Sequence, residues 1–195
     1  MEPLLSGSLI EEAPMDRVDQ IILAMVSRFE GTAYSDHPAD RGGPTKFGIT
    51  ARVLGEYLGK PVTPDQVKAM TWQQALAIYR ERYWFGANID RLPEELQPVI
   101  FDMAVNHGPG TAVRLLQHAL GDLGRPVIGD GRLGKITTGI AAGLIKHLGA
   151  KAVVDAICDC RRTYYAEIIA HDPSQRSFQH GWVNRCESYR LPAGG

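Results

Sequence analysis

Residues 16–34 read DRVDQIILAMVSRFEGTAY, and the fold turns on the periodicity of this stretch. Val18, Ile21, Ile22, Met25, Val26 and Phe29 recur at three- and four-residue steps, which lays one apolar stripe along a helix. Asp16 stands where its carboxylate can cap the first turn. Glu30 comes four residues after Val26 and eight after Ile22, so a carboxyl group continues the stripe at the helix's last turn. Burial against apolar neighbours and the negative end of the helix both disfavour a charged carboxylate. The pattern therefore predicts an acid protonated near neutral pH, a group suited to donating a proton to a departing sugar oxygen. The competing reading is an idle, solvated glutamate at a frayed helix end.

Beyond Glu30, the stretch Gly31 to Thr50 mixes Gly and Pro with Asp, Thr and Arg, a composition of turns or a short hairpin anchored by Phe47 and Ile49. Thr63-Pro64-Asp65-Gln66 and Thr71-Trp72-Gln73-Gln74 both fit the capping box, with Pro64 at the favoured first helical position. The second of these opens a helix carrying Ala75, Leu76, Tyr79, Tyr83 and Trp84 that ends before Gly86. Further helices are predicted over 94–107, 111–120, 136–148 and 151–170, with a turn-rich connection at 121–134. The fold class is mainly α, with one small β-hairpin or loop segment after the first helix.

The 195 residues suffice for one domain, or for two small lobes sharing a core. Residues 1–14 read as a flexible extension, 15–107 and 108–190 as two lobes, and 191–195 as a tail. Lys and Arg number 21 against 22 Asp and Glu, so no general attraction to nucleic acid or to acidic membranes is expected. No run approaches the ~20 apolar residues of a membrane-spanning helix, and the acidic first twenty residues lack a basic leader. The chain is accordingly expected to be made in the cytosol. Cys158, Cys160 and Cys186 are odd in number and spaced for neither a disulfide framework nor a metal knuckle, so they read as reduced thiols. Six scattered histidines form no metal-binding pair, and neither metal nor cofactor is expected.

The residues after the first helix carry a resemblance. Glu30-Gly31-Thr32-Ala33-Tyr34, then Pro38-Ala39-Asp40-Arg41-Gly42-Gly43-Pro44-Thr45-Lys46-Phe47-Gly48-Ile49-Thr50, is similar to the signature of the glycoside hydrolase 108 family of lysozyme-like muramidases. Tyr79, Tyr83-Trp84, Asp102-x-x-x-Asn106-x-Gly108 and Leu116-Gln117 resemble its next helices. Asp130-Gly131-x-x-Gly134, Arg161-x-x-Tyr164-Tyr165 and Phe178-x-x-Gly181-Trp182-x-x-Arg185 resemble its C-terminal, peptidoglycan-binding region. The resemblance covers about residues 18 to 190. It implies a lysozyme-like helical fold, bacterial peptidoglycan as the partner, a monomer, and Glu30 as the catalytic acid. One departure is the Thr32-Ala33 pair, which replaces a Gly of the family's Glu-Gly-Gly-Tyr and bulges the loop before Tyr34 by one position.

Around Glu30 the sequence offers Asp40 as second carboxylate, with Asp36 as the alternative, and Thr45 as a hydroxyl able to position the attacking water. Either aspartate could instead bond local turn amides. Tyr34, Asp36, Thr50, Tyr83, Trp84 and Asn106 are candidate substrate contacts, although Tyr79 and Tyr83, four apart on a helix, suit core packing better. The expected reaction is hydrolysis of the β-1,4 bond between N-acetylmuramic acid and N-acetylglucosamine. A lytic transglycosylase and a non-catalytic wall-binding protein are the alternatives. A phage endolysin released through a membrane pore and a secretion-associated wall-remodelling enzyme both fit, and either would act in the periplasm or cell wall.

Overall fold

The Asp16 carboxylate accepts the Asp19 amide at 2.8 Å, and helix α1 extends from there over Arg17–Met25. The computed structural model describes residues 15–36 and 43–192; the N-terminal extension and Asp40 lie outside the described residues. Ile22, Met25 and Val26 are buried, as their spacing predicts. The stripe does not continue unbroken to Glu30, because the chain widens into a π-helical turn at Val26–Glu30 that closes from the Gly31 amide to the Val26 carbonyl at 2.9 Å. The extra residue in that turn rotates the end of the helix about its axis. Glu30 consequently reaches the margin of the core, with 22% of its side chain exposed, rather than its interior.

The expected hairpin is present. Strands β1 (Thr45–Lys46) and β2 (Ile49–Thr50) pair antiparallel with Thr45 opposite Thr50. Phe47 and Gly48, the two turn residues, both have positive φ, as tight hairpin turns of matching twist require. Ser35 exchanges two backbone hydrogen bonds of 2.8 Å with Thr45, which draws the chain after Glu30 back alongside β1.

Helix α2 (Ala51–Leu58), which the periodicity did not disclose, starts from the Thr50 hydroxyl accepting the Val53 amide and ends at left-handed Gly59. Both capping boxes are formed, at the heads of α3 (Pro64–Ala69) and α4 (Trp72–Ile78). After α4 comes a second π-helical stretch, Tyr79–Phe85. Helix α5 (Gln97–His107) begins three residues later than predicted, with Pro98 in its first turn. Helices α6 (Pro109–Asp122), α7 (Lys135–Leu148) and α8 (Ala150–His171) match the predicted segments to within two residues. Helix α9 (Gln179–Glu187) has few apolar residues and Gly181 in its first turn, so no stripe announces it.

One contiguous apolar cluster runs from Ile22 to Cys186 and joins the α1 end of the chain to α8 and α9. Helix α5 is buried on nearly every face, through Val99, Ile100, Phe101, Met103 and Ala104, with Asp102 fully buried among them. The three cysteines are free and buried, and the Cys158 and Cys186 thiols each donate to the other's carbonyl at 3.4 Å, tying α8 to α9. No helix among the described residues is long and apolar enough to cross a membrane.

His107, at the end of α5, packs edge-on against Tyr164 and Tyr165. Burial first, and then the nearby Arg161 charge, push its pKa down to about 3 from an ordinary value of 6.5. In acid the unfolded chain takes up this proton before the folded one does. The neutral imidazole's contribution is complete above pH ~6.5 and is lost as pH falls toward 3, at up to about 1.4 kcal/mol per pH unit. Thermal melts from pH 7 to 4 should therefore show a drop in Tm that His107→Phe partly flattens; parallel curves for the two proteins would refute this origin.

Candidate active site

The stem of Glu30 lies on the hairpin turn. A Cβ placed at Gly48 would stand 2.8 and 2.9 Å from Glu30 Cβ and Cγ and 2.6 Å from the Tyr79 hydroxyl oxygen, so only glycine allows the turn this close. The Tyr79 hydroxyl donates to the Phe47 carbonyl at 2.8 Å and fixes the turn from below. Burial, followed by the Glu30 charge, raises the Tyr79 pKa far above the ordinary phenol range, so this hydroxyl remains a donor. Tyr79 therefore supports the floor of the site and is fully buried.

The head of Glu30 meets Arg185 of α9, whose Nη2 lies 2.7 Å from Glu30 Oε1. Arg185 is itself tightly placed. Its Nε donates to Asp102 Oδ1 at 2.8 Å, its guanidinium stacks 4.5 Å from the Phe29 ring centroid, and Nη2 touches the Met25 sulfur. The Asn106 amide is oriented with its oxygen toward Arg185, accepting from Nε at 2.9 Å, because the opposite orientation would set donors against donors. The other Asp102 oxygen pairs at 2.7 Å with Nη1 of Arg161 on α8, and both of those side chains are fully buried. Four ionisable side chains, basic and acidic in turn, thus alternate through the molecule: Arg161, Asp102, Arg185, Glu30. Burial and the helix end were the two effects expected to disfavour a carboxylate at Glu30, and the structure sets against them a cation, Arg185, at 2.7 Å.

Of the other sequence candidates, Asn106 joins this network. Tyr83 lies half-buried beside Tyr79, with ring centroids 5.8 Å apart, and its pKa is raised chiefly by burial. Tyr34 donates to Asp36 Oδ2 at 3.1 Å on the segment that leads from Glu30 to the hairpin, so these two residues engage each other. The Thr45 hydroxyl donates to the Gly43 carbonyl at 3.0 Å, which leaves its lone pairs able to accept. One reading is corrected: Trp84 is fully buried against Phe101 and packs the core instead of facing a sugar. The Thr50 hydroxyl accepts the Val53 amide at the head of α2, which leaves its own proton free to donate. Asp40 lies outside the described residues. Sequence reasoning missed Arg185, Asp102 and Arg161 as site residues, although all three stand in the motifs that carry the family resemblance.

A π turn carrying an acid, pressed onto a glycine hairpin and met by an arginine from the far end of the chain, is the geometry to set against known proteins. The family model "Glycosyl hydrolase 108" matches residues 23–108, and the model "Predicted Peptidoglycan domain" matches residues 111–187. SagA of Brucella abortus, a solved structure, is 30% identical, with 89% of this chain and 91% of that one covered at a TM-score of 0.73. The chain belongs to the glycosyl hydrolase 108 family. Its fold is the mainly α, lysozyme-like architecture that the sequence led us to expect. It is a glycosidase, and peptidoglycan is its partner. No curated protein matches. Glu30 stands in the first matched segment and Arg185 in the second, so the family's two parts meet at the acid.

Two substitutions test this geometry. Arg185→Ala should destabilise the fold by about 3 kcal/mol, because buried Asp102 loses one of its two cations, and should lower peptidoglycan cleavage at least tenfold. Unchanged Tm and turnover would remove Arg185 from the site. Gly48→Ala should lower turnover with little effect on half-saturation, since the new methyl displaces Glu30 and must also adopt an unfavourable φ of +75°; wild-type turnover would show that the turn does not set the acid.

Proposed function

We propose that this glycosidase is an N-acetylmuramidase in which Glu30 protonates the leaving oxygen of the β-1,4 bond between N-acetylmuramic acid and N-acetylglucosamine. The observation that supports the reading best is the seat of Glu30. Its stem is fixed by Gly48, its Oε1 is committed to Arg185, and part of its surface remains open to a ligand. As the glycosidic bond lengthens and positive charge builds on the sugar ring, the proton passes from Glu30 to the departing oxygen and a carboxylate is left behind. Arg185 stands 2.7 Å from where that negative charge appears. Because Asp102 and Asn106 fix the guanidinium beforehand, it needs no reorganisation at that moment, which is how a preorganised charge favours a transition state over a ground state.

The second role, activating water or steadying the oxocarbenium-like sugar, falls to Asp40 on this reading, with Asp36 as the alternative. Asp36 already accepts from Tyr34, which favours a supporting part for it. The lone pairs of Thr45 can accept from the attacking water. On this reading the enzyme acts as a monomer on the wall.

Digestion of purified peptidoglycan by wild type and Glu30→Gln, with the released fragments identified by mass spectrometry, tests the proposal. Wild type should yield reducing-end N-acetylmuramic acid, and Glu30→Gln should lose at least two orders of magnitude in rate. Anhydro-muramic ends would reassign the enzyme to the lytic transglycosylases, and full activity in Glu30→Gln would remove the acid.

A further inference from the structure

A cleft of about 860 Å³ opens between the end of the π-helical stretch 79–85, the head of α6 and the loop 126–137 that leads into α7. Glu30 does not line it. The volume is that of a ligand site. Ile128 and Ile136, 83% and 74% exposed, are the most exposed large apolar side chains among the described residues, and both line this one cleft. Two isoleucines left in water beside the same concavity mark a surface that gains by being covered.

The wall behind them is built rather than loose. Gln117, 2% exposed, donates to Asp130 Oδ1 at 2.9 Å and accepts the Gly131 amide at 2.9 Å, which pins the loop onto α6. Gly131 makes this approach possible: a Cβ there would stand 2.7 Å from the Gly110 carbonyl oxygen. Around the cleft stand Arg132 and Lys135, exposed and without an ion-pair partner among the described residues, together with the single carboxylate of Asp130. No aromatic side chain lines it. A glycan strand is held by flat rings, and those stack elsewhere, as Phe178, Trp182 and Tyr165 do. Two cations, one anion and two aliphatic patches instead complement a short peptide with methyl side chains, several carboxylates and one side-chain ammonium.

We propose that this cleft binds the stem peptide of peptidoglycan, leaving the glycan strand to the Glu30 site. The assignment rests on peptidoglycan being the substrate and adds which of its two components the second matched segment reads. On binding, the alanine methyls cover Ile128 and Ile136, the peptide carboxylates meet Arg132 and Lys135, and the diamino-acid ammonium meets Asp130.

The test uses the full chain, with the N-acetylated alanyl-γ-glutamyl-diaminopimelyl-alanine tetrapeptide and tetra-N-acetylglucosamine as separate probes. Affinity is read by calorimetry, and the responding backbone amides by NMR. The tetrapeptide should shift amides within 126–137, and its affinity should fall at least tenfold in the double variant Ile128→Ser/Ile136→Ser and in Arg132→Glu, both of exposed residues, with Tm unchanged. Absence of tetrapeptide binding, equal affinity in the variants, or displacement of the same amides by tetra-N-acetylglucosamine overturns the assignment. Cleavage of purified sacculi is monitored in the same preparations. Cleavage without tetrapeptide binding removes the cleft alone, whereas binding without cleavage removes the muramidase reading and leaves the cleft standing.

Discussion

The carboxylate of Asp102 is the constraint on which the rest of the arrangement depends. It sits fully buried on α5 among Val99, Ile100, Phe101, Met103 and Ala104, and an isolated buried charge of this kind is untenable in a low-dielectric interior. Arg161 and Arg185 answer it from two different helices. That requirement fixes α8 and α9 against α5, and it leaves one guanidinium nitrogen of Arg185 directed at Glu30. A structural need of the core thus delivers a cation to the acid. The Arg161 guanidinium also lies over the Tyr165 ring, 5.5 Å from its centroid. Such a network specifies one arrangement more than it adds stability.

The same logic explains the two π-helical stretches. An ordinary α-helical turn would have carried Glu30 along the line of Val26 and Ile22 toward the interior, where the apolar cluster offers no partner. The wide turn at Val26–Glu30 brings it to the edge, between the hairpin and Arg185. The second, Tyr79–Phe85, buries Tyr79 and Trp84 while leaving Tyr83 half-covered, so Tyr79 can reach the hairpin turn that supports Glu30. Both depart from the regular ladder at the acid's own surroundings, where such bulges are frequent.

What was legible in the sequence was local. Apolar periodicity and capping boxes place most of the helices, because each depends on residues three or four apart. Helix α9 escaped because it is stabilised by packing on α8 and by Arg185 rather than by an apolar stripe of its own. Glu30 could be singled out from its place after the apolar stripe of α1, although the π turn then carries it off that line. Arg185 could not be assigned a role, because the contact that gives it one spans 155 residues of chain. Trp84 was misread for a related reason: an aromatic residue next to Tyr83 serves a sugar or a core equally well until its neighbour Phe101 is known.

The division of the chain into two matched segments, meeting near Gly108, does not correspond to two separate cores. Gly108 takes a positive φ and serves as both the end of α5 and the cap of α6, so the joint is one residue long and the helices it joins share a core. The first segment contains the acid, its hairpin floor and the buried aspartate. Both arginines that neutralise the aspartate, including the one that touches the acid, come from the second. Taken alone, the first segment would bury Asp102 without either cation, a loss large against the usual net stability of a domain. The segment named for peptidoglycan therefore supplies the cations that meet both Asp102 and Glu30. Within that segment α8 packs against α6, α7 and α9 alike.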